Sequence, residues 1–162
     1  MPKTRTSFPP AVAAILTGGL LAGTLDITYA CVHSYIRRGW TPVRLLQSVA
    51  AGALGPEAAV AGGLKTAALG LFFHFLIALI AAAVYYFASR LIPFMITQPI
   101  ISGIVYGLGV YAVMNCIVLQ ISAIHSKIYP WSYPKSVLIG GLLIHMFGIG
   151  LPIALAVKKF SK

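Results

Sequence analysis

Four apolar stretches, at about residues 11–32, 66–88, 99–124 and 136–157, dominate this chain of 162 residues. At about 1.5 Å of rise per residue, each is long enough as a helix to cross the roughly 30 Å hydrocarbon layer of a bilayer. In that layer every backbone N–H and C=O must be satisfied within the protein, which restricts spanning segments to helices and closed barrels. Barrel strands are shorter and alternate polar with apolar residues, whereas these stretches are apolar throughout. The expected fold is therefore all-α: one integral membrane domain, 1–162, built as a four-helix transmembrane bundle.

Composition fits no soluble alternative. The chain is 59% hydrophobic and 9% charged with a mean hydropathy of +0.93, leaving too little polar surface to cover a water-soluble core. The net charge of +10 arises from 12 Lys and Arg against only Asp26 and Glu57. In a soluble domain that excess would point to nucleic acid. Here the basic residues mostly flank apolar stretches, so the partner expected is the lipid bilayer and nucleic acid is not. Trp40, Tyr85, Tyr86, Tyr129 and Trp131 fall near stretch ends, where interfacial aromatic belts form. Cys31 and Cys116 have no metal-type spacing, and no structural disulfide is expected. Lys3 and Arg5 ahead of the first stretch resemble the start of a signal peptide, but Asp26 within the apolar run and Tyr29 before Ala30-Cys31 argue against cleavage there.

Between the first two stretches the pattern changes. Thr41-Pro42 is a helix start, and over about 42–54 Val43, Leu45, Leu46, Val49 and Ala50 share one side while Arg44, Gln47 and Ser48 share the other. This predicts an amphipathic helix lying on the membrane interface. Pro56 and Glu57 suit the first turn of a further helix, free to run without a break into the second stretch, which Pro93 closes. With four crossings, one side of the membrane carries Lys3, Arg5, Arg90, Lys158, Lys159 and Lys162, and the other Arg37, Arg38, Arg44, Lys65, Lys127 and Lys135. The basic count is balanced. The compact cluster directly after the last stretch favours cytoplasmic termini.

Each stretch contains one strongly polar residue: Asp26, His74, Asn115 and His145. Alternate threading puts all four in the same half of the membrane, where such groups are costly. Helical periodicity aligns Asp26 with Gly19, Gly23 and Ala30, His74 with Gly70, Ala78 and Ala81, and His145 with Gly141 and Gly148. Small-residue faces admit neighbouring helices, so Asp26, His74 and His145 are expected to converge. Asn115 shares a stripe with Tyr111 away from Gly103 and Gly107, and is expected at the edge of the interface.

Several roles suit these residues. Asp26, His74, His145 and Asn115 suit a proton or small-solute pathway, which His33 and His125 would extend, since a buried acid and buried imidazoles can exchange protons near neutral pH. His74 and His145 suit bis-histidine ligation of a b-type haem in an electron-transfer subunit. Asp26, His74 and His145, joined by Cys116, offer ligands to zinc or copper, although no local ligand motif accompanies them. Lastly, the same side chains can serve packing alone, fixing helix register in a structural subunit, homo-oligomer or partner complex. Hydrolytic chemistry finds no support: Glu57 has no second acid nearby, and Gly62-Gly63-Leu64-Lys65-Thr66 lacks the Gly-Lys-Thr adjacency of a phosphate loop.

The runs Gly23-Thr24-Leu25-Asp26-Ile27 and Leu69-Gly70-Leu71-Phe72-Phe73-His74-Phe75, with Tyr106-Gly107 and Gly150-Leu151-Pro152-Ile153-Ala154, resemble small uncharacterised bacterial inner-membrane proteins of the YagU-like four-span type. The resemblance implies a bacterial inner-membrane location and a four-helix fold. It assigns no catalytic residue.

Overall fold

The computed structural model describes residues 9–124 and 128–161. Four helices are long and apolar enough to cross a membrane: α1 (Pro10–Arg38), α4 (Gly63–Leu91), α6 (Pro99–Ile121) and α7 (Lys135–Phe160). This is the architecture of a multi-pass membrane protein. Between α1 and α4 lie α2 (Pro42–Leu54) and α3 (Pro56–Ala61), and a single turn, α5 (Phe94–Thr97), precedes α6. The described residues contain no strand.

Local chemistry sets these boundaries. Helix α1 continues past its apolar stretch to Arg38, because Arg37 and Arg38 in its last turn complement the partial negative charge there. Gly39, at φ 64°, ends it by donating its N–H to the Tyr35 carbonyl at 2.9 Å. The Thr41 hydroxyl accepts from the Arg44 N–H at 3.3 Å and caps α2, with Pro42 in the first turn. Helix α6 stops at Ile121, short of 124, because the Ala123 N–H turns aside to donate to the Gly52 carbonyl of α2 at 2.8 Å.

Two expectations for the connecting region are corrected. The helix begun at Pro56 does not run into α4, because it breaks at Gly62 and Gly63, the latter at φ 56°. Gln47 lies on the buried side of α2, not among its outward polar residues. Its amide donates to the Gly63 carbonyl at 3.0 Å and to that of Val60 at 3.4 Å, and Thr66 donates to Ala59. The carbonyls released by the break thereby gain donors, and an unpaired buried amide is avoided.

Glycine contacts and tyrosine bonds fix the register of the long helices. Gly19 meets Leu79 and Gly23 meets Phe75, so α1 and α4 run antiparallel. Gly18 meets Ile153 while Gly148 faces Leu25, which sets α7 antiparallel to α1. Gly103 abuts Gly150, and Gly107 sits against the His145 carbonyl, pairing α6 with α7 in the same sense. The Tyr106 hydroxyl donates to the Ala81 carbonyl at 2.6 Å, and that of Tyr85 lies 2.7 Å from Ser102 Oγ, linking α4 to α6. Most large side chains outside these contacts are apolar and exposed, among them Phe72, Val84 and Phe87 on α4 and Ile101 and Val105 on α6.

The packed core is asymmetric along the helices. Ala14, Ala22, Ala82, Tyr85, Ile149, Ile153, Ala154 and Val157 form one dry cluster in the half nearer the chain ends. The opposite half, where α1 and α6 end and α7 begins, holds a smaller buried cluster of Ala50, Ala51 and Ala59 and opens between α1, α6 and α7.

Candidate functional site

A cleft of about 260 Å³ occupies that open half. Helix α1 contributes Asp26, Tyr29 and His33; α6 contributes Tyr111 and Asn115; the segment before α7 contributes Tyr133, and α7 itself His145. The floor follows from helical spacing: Ala22 and Ile149, both in the dry core, lie one turn below Asp26 and His145. The cleft therefore lies directly above the buried core.

The backbone departs from α-helical geometry at two of these residues. Asn115 lies in a π-helical segment, Met114–Val118, and His145 in another, Ile144–Gly150. Such segments widen the turn and recur at functional sites. At the second of these, glycines allow helix backbones to meet: a methyl added at Gly107 would overlap the His145 carbonyl, and one at Gly150 would overlap that of Gly103. The α6 and α7 backbones touch directly beneath the cleft and hold its two walls at fixed separation.

Hydrogen bonds set what each side chain offers. His145 Nδ1 lies 2.9 Å from the Gly141 carbonyl. A carbonyl only accepts, so Nδ1 carries the hydrogen and the neutral ring keeps its lone pair on Nε2. Asn115 is satisfied on both sides of its amide: Nδ2 donates to the Tyr111 carbonyl at 2.9 Å, and Oδ1 accepts from the Tyr133 hydroxyl at 3.2 Å. Burial, followed by the nearby Cys116 thiol, pushes the Tyr133 phenol above its ordinary pKa.

Two groups in the cleft are less well satisfied. Asp26 is half-buried and accepts no hydrogen bond among the described residues. The Tyr111 ring stands edge-on to His145, with centroids 5.1 Å apart, and is only 6% exposed. Its buried hydroxyl has no partner among the described residues. A buried hydroxyl without a partner costs about 1–3 kcal/mol, which sets Tyr111 apart from the other polar groups of the cleft wall.

The sequence expectation for convergence is corrected here. His74 does not line the cleft. Its Nε2 donates to the Gly23 carbonyl at 2.8 Å, where it serves as a cross-link between α4 and α1. Asn115, expected at the edge, lines the cleft with Asp26 and His145, because the interface edge is where α6 and α1 part and the cleft opens. The haem reading loses its pair: His74 has committed Nε2 to a backbone oxygen and stands outside the cleft that His145 lines. The metal reading fares no better, because no group of three His, Cys, Asp or Glu side chains stands close enough to hold an ion among the described residues. His33 lines the cleft and stacks on Tyr29 at 5.3 Å; His125 lies outside the described residues.

Sequence reasoning did not assign Tyr29, Tyr111 or Tyr133 to a site. Tyr111 had a usable signal, since it precedes Asn115 by one helical turn. Tyr133 had none, because a loop residue carries no periodicity. No family model, curated protein or solved structure matches the chain.

Proposed function

We propose that this chain is a four-helix transmembrane bundle of the bacterial inner membrane that couples proton exchange to the passage of a small polar solute. One observation carries the reading: Asp26, Asn115 and His145, from three different long helices, line a single cleft with the orphaned Tyr111 hydroxyl. Ionisable groups at this depth are retained where a pathway needs them.

In this account Asp26 and His145 Nε2 hold and exchange the proton, and His33, two helical turns above Asp26, relays it to the open side through water. That distance is about 10 Å along the helix, more than one hydrogen bond can span. Tyr111 forms part of the wall beside the solute and its buried hydroxyl becomes available as that wall moves, while Asn115 and Tyr133 hold the rest of the wall in place. The dry cluster of Ile149, Ile153 and Val157 closes the opposite side, so passage requires that half to open in turn.

Helix α2 lies on the interface with Trp40 at its start, and the termini face the cytoplasm beside the basic C-terminal cluster. The YagU-like resemblance and the flanking basic residues support the inner-membrane placement.

The test is proton flux into liposomes containing the purified protein and a trapped pH dye, after an external acid step. Asp26→Asn and Tyr111→Phe should each depress the flux. Parental flux in a folded Asp26→Asn protein would rule the reading out.

A further inference from the structure

A second cavity, of about 230 Å³, opens where the end of α1 meets the start of α2 and the first turn of α7, walled by His33, Ser34, Arg37, Arg38, Trp40 and Val137. Its chemistry is one-sided. Arg37 Nη1 donates to Ser136 Oγ at 2.6 Å, which holds the guanidinium in place, and this is the only hydrogen bond Arg37 makes among the described residues. The remaining N–H groups of that fork stay available. The Arg38 and Arg44 guanidiniums sit 4.9 and 5.3 Å from the centroid of the Trp40 ring, so a third cation is drawn to the rim.

Among the described residues no carboxylate lines this cavity. The chain has two acids in all, Asp26 and Glu57, and Asp26 lies eleven residues before Arg37, about 16 Å down the helix. Two arginines therefore line the cavity and a third stands against Trp40 at its edge, with no carboxylate among the described lining residues. Lysine would supply a point charge, but arginine supplies a planar fork that matches two oxygens of a tetrahedral anion.

We propose that this cavity binds an anionic phosphate group, gripped by Arg37 and Arg38, with Arg44 adding charge from the rim. Its size argues for a headgroup-sized ligand, since sites that enclose a drug-sized molecule run to about 300–1,000 Å³. The cavity shares His33, Ser34 and Val137 with the Asp26 cleft, so the bound anion stands at the mouth of that cleft. Binding here does not depend on the proton reading, and a protein with no proton flux can still hold phosphate.

The phosphate can come from an anionic lipid or from solution, and the experiment separates the two. With Trp131→Phe as background, Trp40 is the only tryptophan left of the two. The micellar protein is titrated with inorganic phosphate against chloride at matched ionic strength, and separately with phosphatidylglycerol against phosphatidylcholine. Trp40 emission and phosphorus NMR line broadening are read together. Saturation by phosphatidylglycerol alone identifies a lipid headgroup, and saturation by inorganic phosphate identifies a soluble anion; either supports the site. Arg37→Gln and Arg38→Gln should each raise the midpoint about fivefold, the loss expected for one basic residue at an anionic surface. Both side chains are exposed, so both variants should fold. The proposal is overturned if neither probe saturates in either readout, if phosphatidylcholine matches phosphatidylglycerol and inorganic phosphate is silent, or if the glutamine variants titrate like the parent.

Discussion

His145 and Gly141 are joined by a hydrogen bond from the imidazole Nδ1 to a carbonyl four residues earlier on the same helix, at 2.9 Å. His74 does the opposite, committing Nε2 to the Gly23 carbonyl across two helices at 2.8 Å. In their neutral forms the two rings must therefore be opposite tautomers. Nitrogen NMR of ring-labelled protein should find the hydrogen on Nδ1 in His145 and on Nε2 in His74. A hydrogen on Nε2 of neutral His145 would remove the free lone pair from the cleft.

Contact between the α6 and α7 backbones predicts a sharp difference between two glycines on one helix. Gly107→Ala drives a methyl into the His145 carbonyl and should destabilise the protein by about 1–3 kcal/mol, as overpacking does. At Gly109 an added methyl meets nothing within 4 Å, so Gly109→Ala should be neutral or stabilising by up to about 1 kcal/mol. Unfolding in graded mixtures of denaturing and mild detergent measures both. Equal effects would mean that α6 and α7 do not meet at Gly107.

The Tyr111 hydroxyl separates stability from activity. Since it has no partner among the described residues, Tyr111→Phe should leave stability unchanged or raise it by up to about 1 kcal/mol, while solute-coupled flux falls. A marked loss of stability would show that the hydroxyl is already satisfied within the fold.

Tyr133 predicts an alkaline transition. Its raised pKa means that the folded protein holds the phenolic proton more tightly than the unfolded chain, where tyrosine titrates near 10. The resulting stabilisation is complete below about pH 10 and disappears as pH rises through the folded value, when the bond to Asn115 loses its hydrogen. Tyr133→Phe should cost about 1 kcal/mol at neutral pH and flatten the alkaline decline. Thermal unfolding of both proteins across that range checks it, and identical alkaline slopes would contradict it.

Much of the fold was legible in the sequence because its signals are local. Length and continuous apolarity announce the four long helices, and Thr41-Pro42 announces α2. The break at Gly62 and Gly63 was harder to see, since glycines are common in helices that cross membranes and the cue lies in Gln47, which reaches it from another helix. The site was legible only in part. Counting a fixed angle per residue placed Asp26, His74 and His145 on small-residue faces, but a face does not say which neighbour it meets. His74 faces a backbone carbonyl, which has no signature in sequence. The π-helical segments around Asn115 and His145 also break the fixed angle at the residues that matter.

The central claim is that Asp26 and His145 handle one proton in one cleft, and a double-mutant cycle on proton flux tests it most directly. Asp26→Asn, His145→Gln and the double variant are compared with the parent in liposomes at matched protein density. The account predicts that each single change depresses flux and that the double variant is no slower than the worse single. Losses that multiply as independent effects, or single variants that retain parental flux, would contradict it.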